Sequence, residues 1–167
     1  MNRKILALLI VLIAAISIAN VSAVELNETQ DFDGLFKMNV IGNDNFTNIS
    51  NPNSNDYSGI AQSNAAYKNS DDSIFVFLYG AGIKDAISFL TNGDIDFQYG
   101  EGMDLVKTEG DLTVFEGNLS VLNQTSDLDV NLTSFAGNSP DSDEFSVIVA
   151  GNDADLVKEY ANTIEFN

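Results

Sequence analysis

Three acidic clusters hold the side chains in this sequence best suited to chemistry. They are Asp94 and Asp96 with Glu101 and Asp104, then Asp141, Asp143 and Glu144, then Asn152, Asp153 and Asp155. Calcium takes roughly six to eight oxygen ligands, and alternating Asp-x-Asp can supply two of them from one loop. None of the clusters has the spacing of an EF-hand loop. The candidate metal ligands are Asp141, Asp143, Asp153 and Asp155, and the competing interpretation is loop solubility with helix capping.

The same carboxylates could serve a hydrolase. A glycoside hydrolase needs two carboxyl groups that face each other across a cleft. With 25 acidic residues in the chain, many candidate pairs exist by composition alone, so the sequence identifies none of them as catalytic. The absence of His and Cys excludes Ser-His-Asp triads, Cys-His pairs and Cys/His zinc sites. The sequence therefore predicts no catalytic residue, no cofactor and no enzyme activity.

A second group of residues could accept a covalent modification. Six asparagines stand in Asn-x-Ser/Thr sequons: Asn27, Asn45, Asn48, Asn118, Asn123 and Asn131. In an exported protein these are candidate N-glycosylation sites. The alternative is that asparagine is abundant here because it tolerates turns and caps.

The N-terminus has the layout of a secretory signal peptide. Arg3 and Lys4 precede an apolar run from 5 to 18, and the small residues Ser22 and Ala23 stand before Val24. The run is shorter than the roughly 20 residues that span a bilayer as a helix. We expect residues 1–23 to be removed after Ala23, which predicts a secreted or cell-surface protein without membrane insertion. The alternative is an uncleaved N-terminal helix that tethers the chain.

The net charge of the chain disfavours some classes of binding partner. Without residues 1–23, five lysines against 25 acidic residues leave a net charge of −20. Such a surface repels nucleic acid phosphates and anionic lipids. We expect an extracellular protein or glycan as partner, with calcium as a further candidate.

Hydrophobic patterning predicts the elements that must position these residues. Residues 24–33 are polar and predict a loose lead-in to a single α+β domain over 34–167. Residues 34–41 alternate as a strand, and near-continuous apolar runs at 73–80 and 144–151 predict strands buried on both faces. A helical period follows each run, at 81–93 and 152–164.

These elements together predict the fold class. We expect an α+β domain with a mostly antiparallel sheet of six to seven strands. Both helices are predicted to pack on one face of that sheet.

The stretch "FSVIVAGNDADLVKEYANTIEF" gives a resemblance to a known group of proteins. With the N-terminal 23 residues, it resembles small exported proteins of methanogenic archaea, which have a signal peptide and one α+β domain. Residues 1–23 and 144–166 carry the resemblance. It implies an exported archaeal domain and carries over no functional residue.

The sequence favours one function and leaves two alternatives open. The favoured hypothesis is a non-catalytic exported or cell-surface domain that acts by binding. The alternatives are a small extracellular hydrolase using Asp or Glu, and a calcium-stabilised surface module.

Overall fold

The computed structural model describes residues 25–50, 63–90, 106–123 and 128–167. The predicted signal peptide and the acidic cluster from Asp94 to Asp104 lie outside these ranges. The helices are α1 (Ile83–Leu90) and α2 (Ala154–Asn162). The strands are β1 (Leu26–Phe32), β2 (Phe36–Ile41), β3 (Thr47–Asn48), β4 (Ala65–Lys68), β5 (Ile74–Tyr79), β6 (Val106–Glu109), β7 (Leu112–Asn123), β8 (Leu128–Asn138), β9 (Ser146–Gly151) and β10 (Glu165–Phe166).

The described strands form two antiparallel sheets. The larger sheet has seven strands in the order β3-β4-β5-β9-β8-β7-β6, and the smaller has the order β1-β2-β10. The predicted α+β class, the antiparallel pairing and the two helices are confirmed. The second, three-stranded sheet was not predicted.

Strands β5 and β9 form the centre of the larger sheet, and every residue of both is buried. Side chains alternate along β5, so Ile74, Val76 and Leu78 face one core while Phe75, Phe77 and Tyr79 face the other. A strand that is buried in this way needs cover on both faces of its sheet.

The two helices lie on opposite faces of the larger sheet, so the prediction that they share one face was wrong. Ala86, Ile87 and Leu90 of α1 pack in the core that contains Phe77. The α2 residues Val157, Tyr160 and Ala161 pack in the other core, together with Phe36 and Met38 of the smaller sheet. The apolar runs at β5 and β9 require this two-sided cover, because neither of their faces is polar enough to meet water.

The segment 24–33 is not a loose lead-in, because Leu26–Phe32 forms the outer strand β1. It pairs with β2 from Leu26↔Ile41 to Phe32↔Phe36. A tight turn joins the strands, with Asp33 at φ 56° and Gly34 at φ 73°. Most of β1 is exposed, so it lacks the apolar alternation by which a sequence reveals a strand.

Within the described ranges, no helix is long and apolar enough to cross a membrane.

Candidate functional site

The segment 42–50, which follows β2 and includes β3, lies over an aromatic cluster between the two sheets. Phe46 is the buried residue of this segment, with 7% of its surface exposed. Its ring centroid lies 5.6 Å from that of Phe32 and 6.0 Å from that of Tyr160, both edge to face. Tyr67 meets Phe32 at 5.0 Å in the same manner. Edge-to-face pairs at these distances are favourable beyond their buried area.

The Gln30 side chain holds the backbone of Phe46. Its Nε2 donates to the Phe46 carbonyl at 2.9 Å, and its Oε1 accepts from the Phe46 N–H at 3.0 Å. Both main-chain groups of this residue are thereby satisfied by one amide. The ring contacts and the backbone hydrogen bonds together fix Phe46 against β1 of the smaller sheet.

Asp44 anchors the segment from the side of α2. The Tyr160 hydroxyl donates to Asp44 Oδ2 at 2.6 Å, and Asn69 Nδ2 donates to the same oxygen at 3.1 Å. The Ile41 N–H donates to the Tyr160 hydroxyl at 3.2 Å. Burial and the neighbouring Asp44 carboxylate raise the pKa of Tyr160.

Asp33, which directly follows β1, makes a second tyrosine–carboxylate pair. It accepts hydrogen bonds from the Tyr67 hydroxyl and, at 3.3 Å, from Asn48 Nδ2. Burial, followed by the contact with Asp33, raises the pKa of Tyr67.

The chemistry of this network is that of fixed hydrogen-bond donors. A phenol with a raised pKa stays protonated at neutral pH, so Tyr67 and Tyr160 donate protons in hydrogen bonds and are poorly suited as bases or nucleophiles. Asp33 and Asp44 accept those bonds. Asp44 and Asn48 thereby tie the segment 42–50 to Tyr160 and to Asp33.

Replacing Tyr160 with phenylalanine should destabilise the protein by about 1–3 kcal/mol, because Asp44 loses a donor and the Ile41 N–H loses its acceptor. Urea unfolding of Tyr160→Phe, Asp44→Ala and the double variant measures this effect. Additive losses in the double variant would contradict the coupling that the contact implies.

The candidate metal ligands are divided between two places. Asp153 caps α2 by accepting from the N–H groups of Asp155 and Leu156, both at 3.1 Å, and the Asp155 carboxylate lies 3.3 Å from Lys158 Nζ. Asp143 accepts from Ser139 Oγ at 3.2 Å and lies against Gly82, before α1, while Asp141 is exposed. Strand β9, about 20 Å long, separates the two pairs.

Among the described residues, no three acidic side chains come together as a metal-binding group. The capping interpretation of Asp153 is confirmed by its two hydrogen bonds.

Replacing Asp153 with alanine should cost about 1 kcal/mol of stability through loss of the helix cap. The loss should be the same in calcium and in chelator, since the cap contacts are to backbone N–H groups. Asp155→Ala, which removes an exposed ion pair, is the matched control and should cost less than about 0.5 kcal/mol. Melting curves of the unchanged protein and the two variants test this. A loss of stability that differs between calcium and chelator would support the calcium-stabilised module instead.

Two carboxyl groups have pKa values shifted in the direction opposite to that of a general acid. Hydrogen bonds from Ser73 lower the pKa of Asp71, and contact with Lys107 lowers the pKa of Glu109. A general acid at neutral pH needs a raised pKa instead. Neither residue has the environment that the hydrolase alternative requires.

The sequon asparagines lie at different places in the fold. Asn27 is in β1, Asn45 and Asn48 are in the segment 42–50, and Asn131 is in β8, and all four are exposed. Asn118 falls in the irregular step between Glu116 and Leu119 of β7, and Asn123 ends that strand.

Comparison with protein-family models, with curated proteins and with solved structures found no match for this chain. The resemblance to exported archaeal proteins therefore stays a prediction.

Sequence reasoning missed the anchoring network around Phe46. Its contacts join residues 116 positions apart, as between Asp44 and Tyr160, and nothing in the local pattern pairs them. The one available signal was Phe46 itself, a large apolar residue in a polar segment.

Proposed function

We propose that this chain is an exported, non-catalytic domain that acts by binding at the cell surface or outside the cell. The observation that carries the proposal is the exposure of Asn27, Asn45, Asn48 and Asn131, the sequon asparagines whose side chains the structure describes. Exposed sequons are where a protein of the secretory route carries sugar. The signal-peptide pattern of residues 1–23 and the resemblance to exported archaeal proteins support the same conclusion.

The chemistry of the described carboxylates supports a binding role. Asp33 and Asp44 hold tyrosine hydroxyls, and Asp153 holds the start of α2. The pKa values of Asp71 and Glu109 are lowered, so neither group is suited to donate a proton at neutral pH. Carboxylates of this kind position structure and provide negative surface.

The partner is an extracellular protein or glycan whose contact surface is neutral or basic. A net charge of −20 without residues 1–23 disfavours contact with nucleic acids and anionic membranes. It speeds association with a basic partner, and salt should weaken that association.

The test is the intact mass of the protein from its native cells, measured separately in the medium, the envelope and the cytosol. A chain that begins at Val24 in the medium or on the envelope is the expected result. A full-length chain confined to the cytosol would overturn the proposal. Full-length protein in the envelope would show that residues 1–23 are retained and tether the domain.

The non-catalytic part of the proposal has its own test. Purified protein is incubated with panels of glycoside and ester substrates, and no turnover is expected above that of a sample unfolded by heat. Turnover that a single Asp or Glu replacement abolishes would establish the hydrolase in its place.

A further inference from the structure

We propose that Asn45 is the residue of the folded chain that accepts an N-linked sugar, in preference to the other described sequons. The inference rests on the proposed export, and it identifies the sequon asparagine whose amide stays accessible once the domain has folded. Both the asparagine amide and the Ser or Thr hydroxyl take part in sequon recognition, so a sequon is open only where the fold uses neither.

Both ends of the Asn48 sequon are used by the fold. Asn48 Nδ2 donates to Asp33 Oδ2 at 3.3 Å, and its Oδ1 accepts from the Ser50 N–H at 2.9 Å. The Ser50 hydroxyl accepts from the Ala66 N–H at 2.8 Å, which ties this sequon to β4. A transferase can reach Asn48 only after these bonds open.

The sequons of Asn27 and Asn131 each have a hydroxyl that is already bonded. Thr29 Oγ1 donates to Asn39 Oδ1 at 2.8 Å, and Thr133 Oγ1 donates to Asn152 Oδ1 at 3.2 Å. Both asparagines also lie within paired strands, β1 and β8. A strand held in a sheet cannot bend into an enzyme cleft without losing its backbone hydrogen bonds.

Asn45 itself lies outside the strands, between β2 and β3, although the Thr47 of its sequon lies in β3 and pairs with Lys68 of β4. Asn45 and Thr47 are both exposed, and in the described part of the chain neither side chain makes a hydrogen bond. On either side, Asp44 is bound to Tyr160 and Phe46 is buried and held by Gln30. The amide therefore projects from a backbone that is fixed at both neighbouring positions.

The reaction is transfer of a sugar from an activated diphosphate donor. The Asn45 Nδ2 forms a bond to the anomeric carbon, the bond from that carbon to the diphosphate oxygen breaks, and the amide nitrogen loses one proton. The leaving group is the diphosphate of the donor. Asn45 keeps its backbone contacts, since its own side chain bonds to no described residue.

The experiment uses the full 167-residue chain in mild detergent, with a soluble N-glycosyltransferase and UDP-glucose. Peptide mass mapping gives the rate at each sequon, and a short peptide spanning both sites gives the reference rate without a fold. Asn45 should react faster than Asn48 in the folded chain but more slowly than in the peptide, because Phe46 and Thr47 are held by Gln30 and by β4. Asn48 should react at least about tenfold more slowly than Asn45, because several hydrogen bonds must open first.

Matched variants make the outcome specific. Thr47→Ser keeps a hydroxyl and should retain modification of Asn45, whereas Thr47→Ala should abolish it. Asn43→Gln alters an exposed neighbour outside any sequon and should leave the rate unchanged. Equal slowing of Asn45 and Asn48 relative to the peptide, or faster modification of Asn48, would overturn the inference. Absence of the protein outside native cells would refute the export proposal alone, since the rates measured with purified enzyme do not depend on export.

Discussion

Replacing Phe32 with alanine is expected to lower the free energy of unfolding by about 3–5 kcal/mol. Phe32 is 1% exposed, and its ring stacks on Phe36 at 4.5 Å. It also meets Tyr67 and Phe46 edge to face at 5.0 and 5.6 Å. Truncation would leave a cavity between the smaller sheet, the segment 42–50 and β4, and rigid rings on three sides would fill it poorly.

Urea unfolding of Phe32→Ala beside Glu28→Ala measures this effect. Glu28 is exposed on the same strand, so its replacement should change stability by no more than about 0.5 kcal/mol. A loose lead-in over 24–33 would make both substitutions nearly neutral. A loss below about 1 kcal/mol for Phe32→Ala would therefore contradict the packing of β1.

The second large effect is a loss of stability in alkali. Burial raises the pKa of Tyr67, Tyr79 and Tyr160 above the ordinary value of 10.0, and the carboxylates Asp33 and Asp44 add to the shift at Tyr67 and Tyr160. Above pH 10 the unfolded chain loses these protons while the folded chain keeps them. Stability should be intact below pH 10 and should fall as pH rises from there towards the folded pKa values.

Each of these tyrosines should contribute a slope of about 1.4 kcal/mol per pH unit, which makes about 4 kcal/mol per pH unit for all three. Urea unfolding between pH 8 and pH 12 measures the slope, and phenolate absorbance follows ionisation of the folded state. Tyr67→Phe removes one titrating group and should reduce the slope by about 1.4 kcal/mol per pH unit. Ionisation of more than two of the five tyrosines near pH 10, before any unfolding, would contradict the prediction.

Periodicity predicted the elements whose two faces have a clear character. Strands β5 and β9 were predictable because burial requires an apolar residue at every position. Helices α1 and α2 were predictable because burial of one face requires an apolar residue at every third or fourth position. A cap at the start of α2 was also predictable, because capping depends only on residues that are neighbours in the sequence.

The parts of the fold that sequence could not predict depend on contacts between distant residues. Strand β1 is polar because it lies at the edge of the smaller sheet, so only its pairing with β2 reveals it. The anchored segment 42–50 depends on Tyr160, and the choice among sequons depends on which hydroxyls other residues have taken.

The acidic composition, the positions of the sequons, the absence of His and Cys chemistry, and the central strands with their helices could all be read from the sequence. These properties follow from residue type and local spacing. The tertiary structure alone decided that the helices cover opposite faces, that a second sheet forms, and that Asn45 stays open while Asn48 is bonded. Burial and hydrogen bonding are satisfied by whichever groups the folded chain brings together, and local pattern does not encode those pairings.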